Sequence, residues 1–133
     1  MVELVSLQEL VRSRRQVPLS DSTLPSHLGH FSDALCANPP RRTTSVFALP
    51  FSHGNATADW AEIVAFGRYR FAFSLIEELA KVLAPEVVRT GVVPSILPVR
   101  VSALAAMTWS NPLVKTLAMD GVHLYPRDPG NGG

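Results

Sequence analysis

The stretch Val46 to Leu83 decides the fold, and within it the run Asp59-Trp60-Ala61-Glu62-Ile63-Val64-Ala65-Phe66. A large aromatic stands at a helix start, followed by residues apolar on nearly all sides apart from Arg68 and Arg70. Such a helix belongs inside a protein. Thr57 caps it well, and Asp59 and Glu62 sit in its first turn, where negative charge suits the dipole. Phe71, Leu75, Leu79 and Val82 form one apolar row, and Ala72, Ile76, Leu79 and Leu83 an adjacent one. Ser74, Glu77, Glu78 and Lys81 take the opposite strip. The expectation is an all-α fold, a helical bundle around a central hydrophobic helix over about 58–83.

Shorter helices gather on either side of this post. Ser6-Leu7-Gln8-Glu9 reads as a capping box, with Leu7, Leu10 and Val11 following at helical spacing and Pro18 as the stop. Leu24 to Cys36 reads as a second helix with Pro25 in its first turn, ended by Asn38-Pro39-Pro40. Arg41 to Phe51 is ambiguous: Thr43, Thr44, Ser45 and Val46 favour a strand, while helical neighbours favour a helix, which is the reading adopted. Pro85 should start a new segment, and Pro94 and Pro98 should break any helix beyond it. Val101 to Trp109 favours helix. Asn111, Pro112 and Gly121 are the cap, first residue and stop of the last one. Residues 1–125 form a single domain, and 126–133 a disordered polar tail.

Composition narrows the function. Apolar residues make up 47% and charged ones 17%, so the chain buries much of itself or offers an apolar surface to a partner. Net charge is +1 with the arginines scattered along the chain, which gives nucleic-acid binding no electrostatic footprint. Cys36 is the only cysteine, which excludes an internal disulfide and points to an intracellular home. No run of eighteen uncharged apolar residues exists, so no transmembrane anchor is expected in this chain.

The polar residues carry little chemistry. His27 and His30 are three apart on one helical face, but structural zinc wants four ligands in tight spacings, and His53, His123 and Cys36 do not supply them. Phe51-Ser52-His53-Gly54 lacks the glycine that a nucleophile elbow needs before its serine. No catalytic residue, metal or cofactor is expected, and the chain reads as a non-enzyme. What remains is an apolar pattern: Leu24, Leu28, Phe31 and Leu35 are spaced four, three and four apart, with Ser32-Asp33 after the phenylalanine. Core packing explains that spacing, and so does a helix laid into an apolar groove.

Taken together, the two segments resemble the Bcl-2 family of apoptosis regulators. Leu24-x3-Leu28-x2-Phe31-Ser32-Asp33-x-Leu35 is similar to its third homology motif. Val46-x2-Leu49-Pro50-Phe51-x2-Gly54 with Asp59-Trp60-Ala61-Glu62 resembles the first. The family's motif there is Asn-Trp-Gly-Arg, so Glu62 reverses a charge and Ala61 narrows the approach of an incoming helix; Arg68 or Arg70 is the candidate substitute cation. The resemblance implies a peptide-binding groove at Val46, Leu49, Asp59, Ala61, Glu62, Val64 and Tyr69. It also implies a death-motif-like helix of the chain's own at Leu24, Leu28, Phe31, Asp33 and Leu35.

By that resemblance the chain is an apoptosis inhibitor similar to compact viral homologues. It would hold the amphipathic helix of pro-apoptotic Bcl-2 relatives in the cytoplasm or at host mitochondria, with no nucleic-acid partner. A second reading keeps the fold but makes it a self-associating homodimer or pro-apoptotic member with an occluded groove. A third is an unrelated small α/β enzyme or assembly protein, resting on the strand-like Thr43–Leu49 and Val99–Val101.

Overall fold

Glu62–Gly67 is a β-strand at the middle of a sheet, not the start of a buried helix. The computed structural model describes residues 1–14, 24–50 and 59–127. In chain order these form α1 (Leu4–Arg14), α2 (Ser26–Ala37), β1 (Thr43–Leu49), β2 (Glu62–Gly67), α3 (Ala72–Thr90), β3 (Ser95–Arg100), α4 (Val101–Ala105), α5 (Pro112–Asp120) and β4 (Val122–Tyr125). The sheet order is β3-β2-β1-β4. β1 pairs antiparallel with both β2 and β4, while β2 pairs parallel with β3 across the α3 crossover.

The fold is therefore mixed α/β, and the expected all-α Bcl-2-like helical bundle is corrected. The physical reason lies in the run Ile63-Val64-Ala65-Phe66. A strand buried on both faces needs apolar residues at every position, and a buried helix needs the same; a short continuous run does not separate them. Here Ile63 and Ala65 face one helical layer and Val64 and Phe66 the other. The same alternation splits β1: Val46 and Ala48 face the first layer, Phe47 and Leu49 the second.

Two cores result. On one face α2 and α3 pack Leu28, Phe31, Leu35, Leu75, Leu79 and Leu83 against Val46, Ala48, Ile63, Val122 and Leu124. On the other, α1, α4 and α5 pack Leu7, Val11, Leu104, Val114 and Leu117 against Phe47, Val64 and Phe66. Each fully buried leucine or phenylalanine contributes about 1.5–3 kcal/mol relative to exposure. Phe47 and Phe66 meet edge to face, with centroids 5.7 Å apart.

Local signals hold at several helix ends. Asn111 Oδ1 accepts from the Leu113 amide at 2.9 Å and the Val114 amide at 3.4 Å, with Pro112 in the first turn. Gly91 ends α3 in the left-handed region, and its amide donates to the Val87 carbonyl. Two expectations change. α1 starts at Leu4, so Ser6 lies inside its first turn rather than capping it. α3 runs through Pro85 to Thr90 instead of stopping at Leu83. Pro85 is on the exposed side, where the carbonyl it leaves unbonded faces water. Pro18, Thr57, the Phe51–Gly54 motif and the tail from 128 onward lie outside the described residues.

Candidate functional site: an arginine-lined cleft

The register of the sheet assembles the site. Thr43 of β1, Gly67 of β2 and Arg100 of β3 stand in one row, because Thr43 pairs with Gly67 and Gly67 with Arg100. β2 and β3 are parallel, so their carboxyl ends lie side by side, the place where open α/β sheets characteristically admit ligands. Gly67 permits the arrangement: a Cβ there would collide with the Arg42 carbonyl oxygen and with Leu75. With that space kept clear, the Arg68 amide donates to the Arg42 carbonyl at 2.9 Å.

Beyond the row, a cleft of about 410 Å³ opens between Gly67, Arg68, Tyr69 and Arg100 on the strand side and Val101, Ser102 and Ala105 of α4. Arg100 is held from two directions. Its Nε donates to the Tyr69 carbonyl at 3.4 Å and its Nη2 to the Arg70 carbonyl at 3.0 Å. Its guanidinium lies 4.8 Å over the Tyr69 ring. Of the chain's twelve basic residues, six gather at this end of the sheet: Arg41, Arg42, Arg68, Arg70, Arg100 and Arg127. Arg42 pairs with Glu78, and Arg127 with Asp33. Arg41, Arg68, Arg70 and Arg100 make no ion pair with a carboxylate among the described residues. Thr43, beside Gly67, buries a hydroxyl that has no partner.

The residues singled out by sequence scatter across the molecule. Val46 faces the α2/α3 layer, whereas Leu49 and Val64 face the opposite one. Leu24, Leu28, Phe31 and Leu35 are buried in the chain's own core, and Asp33 on the outer side pairs with Arg127. Asp59, Ala61 and Glu62 lie at the start of β2, the far end from the cleft. Between them Trp60 adopts φ 56°, and its carbonyl oxygen lies 3.0 Å from Nε2 of His27, which donates to it. Of these residues Arg68 and Tyr69 line the cleft and Arg70 adjoins it through the bond from Arg100; Arg100 and Ser102 were not singled out in the sequence. The visible signal was the alternation Arg68-Tyr69-Arg70-Phe71.

A second polar cluster resembles a catalytic pair. Ser45 Oγ lies 3.0 Å from Nε2 of His123. The hydroxyl is fully buried, donates to the Tyr125 carbonyl at 3.0 Å and accepts from Gln8 Nε2 at 3.0 Å. The hydroxyl thus has three polar neighbours, and the direction of its bond to His123 follows the tautomer of the ring. The cluster instead secures β1 where its ladders shift register, between Thr43 and Ser45 and between Val46 and Phe47. Nearby, burial and then the charge of Cys36 push the Tyr125 phenol above its ordinary range.

His27 and His30 are engaged separately, His30 lying 3.6 Å from Glu86. Among the described residues no three histidine, cysteine or acidic side chains come together as a metal site. None of the described helices is long and apolar enough to cross a membrane. Comparison with protein-family models, with curated proteins and with solved structures returned no match.

Proposed function

We propose that this α/β chain is a binding protein for a phosphate-bearing anion, held in the cleft by Arg68, Arg100 and Ser102. One observation carries the reading: Arg68 and Arg100, which have no carboxylate partner among the described residues, line a concavity at the carboxyl ends of a parallel strand pair. A bound anion offsets the mutual repulsion of cations that line one concavity. Arg100 is pre-organised by two backbone carbonyls, so little side-chain entropy is lost when its fork engages a ligand. Ser102 adds a hydroxyl that can donate to a phosphate oxygen. The proposed role is binding, since Arg68, Arg100 and Ser102 supply cations and a hydroxyl donor to the cleft.

Isothermal titration with inorganic pyrophosphate at low ionic strength tests the proposal. Saturable heat that falls as salt is added, and a Kd raised about tenfold by Arg100→Ala, is the expected result. A flat titration at low salt rules the reading out.

A further inference from the structure

We infer that the anion is the backbone of a single-stranded nucleic acid, whose bases stack on Phe71 and Phe73; this rests on the phosphate-binding reading above. The two rings are 63% and 72% exposed, directly after Arg68 and Arg70 in the chain. Arg70 already lies 5.4 Å from the centroid of the Phe71 ring, so cation and aromatic face are paired. An exposed aromatic face beside a guanidinium, as at Phe71 and Arg70, is an arrangement that holds unpaired bases without sequence preference, and the exposed Phe73 of the same helix start offers a second face.

A net charge of +1 argues against such a partner only while charge is counted along the chain. The fold sorts it by position: beside the Arg42–Glu78 and Arg127–Asp33 pairs, the Gly67/Arg100 end carries Arg41, Arg68, Arg70 and Arg100, while Asp59, Glu62 and Asp120, with Arg14, lie where β2 and β4 begin. A polyanion therefore meets a positive face despite a near-neutral total.

Other polyanionic partners fit less well. A duplex keeps its base faces stacked away from Phe71 and Phe73. A phosphopeptide can engage the arginines but brings no succession of flat rings to the exposed faces of Phe71 and Phe73. A lipid headgroup surface is flat, whereas Arg68 and Arg100 line a concavity.

Fluorescence polarisation with labelled oligo(U) and oligo(dT) of about twelve nucleotides, within the usual span of one small binding domain, tests the inference. Binding should weaken with salt at a log–log slope of about −2, as expected for roughly three phosphate contacts. Phe71→Ala with Phe73→Ala should raise the oligonucleotide Kd about tenfold to a hundredfold and leave pyrophosphate binding unchanged. Arg68→Ala with Arg100→Ala should weaken both ligands. The replaced rings are exposed, so an unchanged thermal midpoint will confirm that the double phenylalanine variant is folded.

Pyrophosphate binding without oligonucleotide binding overturns this inference and leaves the anion site standing. Loss of both in the native protein overturns the two together. Equal affinity for a duplex of the same length, or for phosphatidylserine vesicles with none for oligonucleotide, also overturns it.

Discussion

The guanidinium of Arg100 lies over the ring of Tyr69 at 4.8 Å while its Nε donates to the carbonyl of that same residue. Together with the Arg70 carbonyl, which accepts from Nη2, Tyr69 fixes both the plane and the direction of the cation. Lysine would keep the charge and lose the fork, so Arg100→Lys should weaken pyrophosphate binding about tenfold and leave the denaturation midpoint within error. Titration calorimetry and urea melts on the same protein will separate these effects. A lysine variant that binds as well as the native chain would show that the planar geometry is irrelevant.

Gly67 should tolerate no side chain. Gly67→Ala drives a Cβ into the Arg42 carbonyl oxygen, which is backbone and cannot swing away. A destabilisation of at least about 1–3 kcal/mol is expected, with anion binding reduced as the Arg42–Arg68 contact parts. Urea unfolding of the variant checks the first effect, and its pyrophosphate titration the second.

Ser45→Ala should cost about 1–3 kcal/mol, because Gln8, His123 and the Tyr125 carbonyl each lose a partner at a buried position. The cluster is remote in role from the cleft, so anion binding should persist. A variant of native stability would show that water replaces the hydroxyl at little cost.

The Tyr125 phenol makes stability fall at high pH. Its folded-state value is raised by burial and then by Cys36. The unfolded chain releases the proton first, near pH 10. Stability is therefore fully present below that point and declines as pH climbs from the unfolded value through the folded one. Denaturation midpoints measured from about pH 9 to 11.5 should show this decline, and Tyr125→Phe should remove part of it.

Asn111→Ala removes the cap of α5 and should cost about 1 kcal/mol, and Asn111→Ser considerably less. Thermal melts of the two variants, compared directly, distinguish loss of the cap from general damage at this site.

The legible parts of the chain were those whose cause is local. Asn111 and Pro112 announced α5, and Leu28, Phe31 and Leu35 announced a buried face on α2, with Leu24 buried just ahead of it. Gly121 was a correct stop for a different reason. Its φ is −68°, and it is glycine because a Cβ would press on the Leu117 backbone. The β-propensity of Thr43 to Val46 was visible, yet the helical context overrode it, and β1 formed. The strand reading for Val99–Val101 met β3 only in its final residues, Val99 and Arg100.

The cleft was far less legible, since Arg42, Arg68 and Arg100 are remote in sequence and meet only through strand register. Its neighbours Tyr69 and Arg70 stood out in the sequence for a groove in a bundle that does not form.

The chain alone fixes the cap of α5 and which residues avoid water, because capping, proline geometry and side-chain transfer act over a few positions. That Glu62–Gly67 extends depends on long-range pairing. Its backbone groups are satisfied by β1 on one side and β3 on the other, partners distant along the chain. The same pairing placed the arginines together, so the charged face of this protein follows from strand register and not from composition.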